Sequence, residues 1–230
     1  MKKLTHLMLL TGLVGMPLVA AAEDSPHSIT GNLTFVSDYQ YRGISQTDED
    51  PAIQGGFDYA HKSGFYLGTW GSNVEFGTAN MEWDVYGGYA GSMGDLGYNV
   101  GVLGYIYPDY DDANTTEVYG GVTYMGFGLK ASYTVSSEYF DIDDSDGTVY
   151  WDASYAYTFE NGLGLGLHYG YTAGEGSQVD YADWKIGVTY PIGKFTVGLA
   201  YTDTDLDKTS ECGGLDICDS RVILSVGTTF

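Results

Sequence analysis

The sequence predicts an all-β protein: a twelve-stranded antiparallel transmembrane β-barrel with both termini on the periplasmic side. Three observations predict it. Apolar and polar residues alternate with a period of two in one short segment after another. The connections between those segments alternate between short and long. The outward-phase residues at the short-turn ends are aromatic. Composition agrees: 34 Gly among 230 residues is about twice the usual share, and 22 are Tyr. Such a chain makes poor helices and good strands.

The N-terminal segment is set apart. Residues 1–22 read as a secretory signal peptide, with Lys2 and Lys3, an apolar stretch from Leu7 to Val19, and Ala20-Ala21-Ala22 for cleavage after Ala22. A membrane anchor is the competing reading, but Thr11, Gly12, Gly15 and Pro17 break the apolar core. Residues 23–230 form the barrel domain and contain no apolar run near the ~18 residues a spanning helix needs. Without Lys2 and Lys3 the formal charge moves from −22 to −24. That excess repels nucleic acid and attracts cations, so no nucleic-acid partner is expected.

Twelve segments follow, near 28–42, 52–61, 65–74, 81–91, 97–107, 116–124, 128–136, 148–159, 163–172, 183–190, 194–202 and 221–230. The first sets Ile29, Leu33, Phe35, Tyr39 and Tyr41 against Thr30, Asn32, Thr34, Asp38, Gln40 and Arg42. The eleventh sets Phe195, Val197, Leu199 and Tyr201 against Thr196, Gly198, Ala200 and Thr202. Short connections (HKSG, SMGD, MGFG, ENG, PIGK) alternate with long acidic ones (ISQTDEDP, PDYDDANTTE, SSEYFDIDDSDG, AGEGSQVDYAD, DTDLDKTSECGGLDICDS). EFGTAN is short but in step. A membrane barrel sorts its connections this way, with short turns periplasmic and long loops outside. Lipid cannot hydrogen-bond a backbone, so a spanning sheet must close on itself.

Aromatic residues fall where a membrane interface wants them. Tyr59, Tyr89, Tyr124, Phe159, Tyr190 and Phe230 end the strands that run to the short turns. Trp83, Trp151, Trp184, Tyr171 and Tyr201 form the opposing girdle. In RVILSVGTTF, Val222, Leu224, Val226 and Phe230 share one phase. This tail resembles the C-terminal assembly signal of bacterial outer-membrane proteins, although Thr228 departs from its strongest form. The barrel-assembly machinery is therefore an expected partner, with outer-membrane lipids around the wall.

SDYQYRGISQT, PAIQGGFDY and SGFYLGTWGSNVEF, within roughly 32–76, resemble the TorF family of proteobacterial outer-membrane proteins. The likeness spans the mature chain and implies an outer-membrane porin of a Gram-negative bacterium. The family's function is poorly defined, so the resemblance brings no substrate and no catalytic residue.

The inward phase holds the lumen and selectivity candidates: Asp38, Arg42, Gln54, Asp58, Glu82, Asp84, Glu117, Lys130, Asp152, His168 and Lys185. Arg42 is expected to face Gln54, near Asp38 or Asp58. Acids outnumber bases, and an acidic lining favours cations. An ion-pair network that only holds the wall is an equally good reading of these charges. Inward glycines such as Gly164, Gly166 and Gly198 leave room for an open lumen, or relieve crowding in a curved sheet.

Cys212 and Cys218 are the two cysteines, and in an exported protein pairing is favoured over a metal site. DIDDSDG misses the spacing of a calcium loop, because Ser145 and Gly147 are misplaced, so no metal and no cofactor is expected. There is no G-x-S-x-G, H-E-x-x-H or phosphate-binding glycine loop, and His168 points away from lipid, so no enzyme is expected. The expected function is passive diffusion of small hydrophilic solutes, with cations preferred. The alternative is a plugged barrel with a structural, adhesive or surface-binding role through its acidic loops. A homo-oligomer is a possible assembly, although no interface strip marks one.

Overall fold

The computed structural model describes residues 25–230, so the leader expected at 1–22 lies outside the described residues. In chain order the strands are β1 (His27–Val36), β2 (Gln40–Tyr41), β3 (Ile44–Ser45), β4 (Ala52–His61), β5 (Phe65–Phe76), β6 (Ala79–Met93), β7 (Leu96–Ile106), β8 (Thr115–Tyr124), β9 (Phe127–Thr134), β10 (Val149–Thr158), β11 (Gly164–Ala173), β12 (Tyr181–Ile192), β13 (Phe195–Thr204) and β14 (Arg221–Thr229). Twelve of them, β1 and β4–β14, close into one antiparallel barrel. β2 and β3 form a separate small hairpin.

Closure leaves no sheet edge. β14 lies against β1, pairing Phe35 with Val226 and Leu33 with Thr228. The seam is completed by two backbone bonds: Gly31 N–H donates to Phe230 O at 2.7 Å, and Phe230 N–H to Gly31 O at 2.9 Å. A closed ladder satisfies the wall's backbone groups internally, which a lipid setting requires.

Alternation sorts the side chains by face. Leu33, Phe57, Val85, Val102, Leu129, Ile186 and Leu199 are exposed on the outer wall, a surface suited to lipid. Their neighbours in sequence turn inward. The barrel has a turn end, with the short connections, and a loop end, with the long ones. At the loop end, Cys212 and Cys218 are joined as a disulfide.

One expected strand is too long. The first segment was expected over 28–42, but β1 stops at Val36. The chain then leaves the wall and folds into the barrel as the β2–β3 hairpin. Tyr39 and Tyr41, expected on the lipid side, are inside, and Tyr39 is buried. The reason is that QYRGIS keeps the strand alternation while making a tight turn. Arg42 and Gly43 have φ of 47° and 81°, the pair of positive values a two-residue hairpin turn requires. Period two cannot distinguish a wall strand from a hairpin packed within it.

Candidate functional site

The lumen has two regions. At the loop end, segment 37–51 fills the bore and is held by three polar latches. The first is at the hairpin tip. Arg42 donates to both oxygens of Glu117 on β8, at 2.7 and 2.9 Å, and to the Tyr139 hydroxyl at 2.7 Å. The rings of Tyr150 and Tyr41 lie 4.1 and 4.8 Å from its guanidinium carbon. Burying this charge is costly, and the bidentate pair with its aromatic faces offsets that cost.

The second latch is Asp38, which accepts from Ser45 at 2.6 Å, Thr47 at 3.0 Å, Gln40 at 2.5 Å and Arg221 at 3.1 Å. The third is Glu82 on β6, which accepts from Tyr39 at 2.8 Å and Tyr107 at 2.6 Å. Loop 135–148 also contributes. Phe140 packs edge-on against Tyr41 and Tyr105, with ring centres 5.4 and 5.0 Å apart. Burial pushes the Tyr139 hydroxyl in this loop up to about 12, so it stays a neutral donor and acceptor. Glu82, Glu117 and Tyr107 each keep 1% of their surface exposed, so no water path runs beside them.

Farther in, the wall carries the remaining charges. Lys130 on β9 sits opposite Asp152 on β10, and His168 on β11 sits opposite Lys185 on β12. His168 Nε2 is 2.8 Å from Asp183 and its Nδ1 is 3.5 Å from Asp152. Tyr150 also donates to Asp183, at 2.9 Å. That contact depends on Gly170, where any side chain would collide with the Tyr150 hydroxyl and the Asp183 carboxylate. On the opposite wall Asp58 accepts from Tyr86 at 2.6 Å, and Tyr66 lies between Asn99 and Tyr119 at 2.6 and 2.5 Å.

Arg42 does not meet Gln54 or Asp58 as the sequence suggested. Its partner is Glu117, and Gln54 stays on β4 opposite Thr34 and Ser72. Asp84 is buried, with its Oδ1 lacking a hydrogen-bond partner. Sequence reasoning missed Asp183 and Arg221, although Asp183 shares the phase of Lys185. It also missed the inward tyrosines at 105, 107, 139 and 181, which alternation carries no sign for once both faces hold aromatics.

The girdle positions lie on the outer wall. Tyr124, Phe159, Tyr190 and Phe230 are exposed at the turn end. Tyr59 and Tyr89 are partly covered, by a 2.8 Å contact from His27 and by Phe65 at 5.2 Å between ring centres. A groove of about 720 Å³ on this outer wall, lined by Leu33, Gly55, Phe57, Gly71 and Trp83, opens away from the lumen.

Solved structures share the architecture. A structure described as "KdgM porin" matches with a TM-score of 0.59 at 8% identity, over 87% of this chain and 98% of that one. "NanC porin structure in rhombohedral crystal form" matches at 0.57 and 10%, over 88% and 99%. "KdgM porin in complex with disordered oligogalacturonate" matches at 0.56 and 9%, over 88% and 97%. At such identities the likeness is one of fold. No curated protein matches the chain. The family model described as "Bacterial protein of unknown function (Gcw_chp)" matches residues 20–230, and the chain belongs to that family.

Proposed function

We propose that the chain is a narrow outer-membrane porin that passes small hydrophilic solutes, and that segment 37–51 closes its loop end in the conformation described. The observation that carries this reading is the contrast between faces. A closed twelve-strand barrel with an apolar outer wall encloses a polar interior lined by Asp58, Asp152, His168 and Asp183. Eight-stranded barrels fill themselves with side chains, and sixteen-stranded ones leave a channel. At twelve strands an inserted hairpin decides the outcome.

In this reading the chain sits in a Gram-negative outer membrane, with the leader removed after Ala22. Turns and termini then face the periplasm, and the barrel-assembly machinery inserts the chain through β14. The TorF resemblance supports the same placement. The cation preference belongs, in this reading, to the loop-end mouth, where carboxylates such as Asp48, Glu49 and Asp112 are exposed.

Single-channel recording of the refolded protein tests this. Rare or small steps are expected from the native chain, with longer openings from Arg42→Ala. No steps from either protein, both shown to be inserted, would sink the porin reading. A sealed loop end specifically favours one alternative, a plugged barrel that binds surfaces through its acidic loops. That outcome would promote it.

A further inference from the structure

The turn end carries a pair of imidazoles that the lumen does not use. His27 opens β1 and His61 closes β4, and the two are direct partners across the strands. Alternation puts both on the face of Ile29 and Phe57, the outer wall. His27 is exposed and His61 half-exposed. Their ring centres lie 5.2 Å apart, with the planes tilted by 50°. The backbone beneath them is fixed. Lys62 N–H donates to Pro26 O at 2.9 Å, which carries the β1–β4 ladder past the histidine pair, and Gly64 N–H donates to His61 O at 2.9 Å.

Each ring has one nitrogen engaged. His27 Nδ1 lies 2.8 Å from the Tyr59 hydroxyl. His61 Nδ1 lies 2.7 Å from the Ser63 hydroxyl, with the Ser63 N–H at 3.2 Å. Among the described residues no hydrogen bond or ion pair reaches either Nε2. Metal-binding histidines are arranged in this way: a neighbouring oxygen holds one ring nitrogen and the other faces the ion. The spacing agrees. With Zn–N bonds of about 2.0–2.1 Å, two imidazoles on one tetrahedral ion have ring centres roughly 5 Å apart. Attraction between the rings accounts poorly for the pair, because a 50° tilt is neither of the arrangements that aromatic rings prefer, offset-stacked or edge-on.

We propose that His27 and His61 form a binding site for a divalent transition metal ion of the Zn²⁺ and Cu²⁺ class, held through their two Nε2 atoms on the outer rim of the turn end. The site does not depend on the lumen conducting. Imidazole suits these ions, whereas Ca²⁺ and Mg²⁺ take oxygen ligands. Among the described residues no third His, Cys, Asp or Glu joins the pair, so water completes the shell. With the metal on Nε2, the Tyr59 hydroxyl accepts the proton of His27 Nδ1. The Ser63 hydroxyl accepts that of His61 Nδ1, in exchange for the longer Ser63 N–H contact. The ion staples the first residue of β1 to the last of β4, so binding also stabilises that corner of the barrel. A chain of net charge −22 draws such cations towards it.

Titration of the untagged, refolded full chain with Zn²⁺ tests this, in detergent, with a chromophoric chelator as competitor and excess Mg²⁺ present to occupy the acidic loops. One equivalent is expected to bind, with an affinity that falls about tenfold or more in His27→Ala and in His61→Ala alike. Ser63→Ala should weaken it by less. Cu²⁺ in the same site should show coupling to two imidazole nitrogens by electron paramagnetic resonance, and to one in either histidine variant. Zn²⁺ should also raise the unfolding midpoint of the native chain and leave that of the double variant unchanged. No binding to the native chain overturns the site. So does binding that persists in both variants or that Mg²⁺ abolishes, since the ion then sits on the acidic loops. If the variants do not refold, labelling of the native barrel with diethyl pyrocarbonate decides. Zn²⁺ should protect His27 and His61, and labelling that Zn²⁺ leaves unchanged overturns the proposal.

Discussion

The loop-end and mid-barrel regions of the lumen are built from the same strands yet behave as different materials. At the loop end Arg42, Glu82 and Glu117 form a dry, cross-linked block, each charge with two or more partners. Around Lys130 and Lys185 the charges are tied less tightly, and among the described residues neither ammonium has a hydrogen-bonded partner. The strands do not make this difference, because inward polar residues line both regions. The connections make it: segments 37–51 and 135–148 fold into one end only. The lesson is that inward phase alone does not tell which wall charges are cross-linked and which are not.

The comparison can be broken at its strongest point first. Glu117→Ala leaves the Arg42 guanidinium buried without its partner, and a stability loss of about 3–5 kcal/mol is expected by denaturant unfolding in vesicles. A loss near that of a surface pair, about 1 kcal/mol or less, would mean the block is not dry. Tyr107→Phe removes one of the two hydroxyls on Glu82 and should cost about 1.5–3 kcal/mol in the same assay. Gly170→Ala forces Tyr150 and Asp183 apart, for about 1–3 kcal/mol, and should release His168 to titrate differently by NMR. The smallest effect sharpens the other side. Lys130→Gln should change stability by less than about 0.5 kcal/mol, since no hydrogen bond is lost. A large loss there would show that the lysine braces the wall.

Most of the wall was legible. Val197 and Leu199 face outward beside Val226 and Leu224 because alternation in two adjacent strands can satisfy one buried-face rule in only one register. Glu82, Asp84, Glu117 and Asp152 on the wall strands are buried. What alternation could not carry was contact across the bore. Arg42 and Glu117 are 75 residues apart, and no local spacing links them. The same holds for Asp38 and Arg221, 183 residues apart. The end of β1 was misplaced for a different reason: a hairpin inside the barrel reads like the strand it follows.

Those separations also set an order of events. Segment 37–51 follows the first wall strand, yet its latches lie on β6, β8 and β14. It touches β5 nearby, through Glu75 N–H to Gln46 O at 2.7 Å and Tyr39 against Trp70, but its latches are complete only once the sheet has curled round and shut, so its final seating comes last. An element that joins late, through a handful of polar contacts, is also the one that leaves first. The amide of Thr47, whose side-chain hydroxyl reaches Asp38, should therefore trade its hydrogen for deuterium far sooner than those of Val197 or Leu224 in the ladder. The innermost piece of the molecule would then be its least permanent.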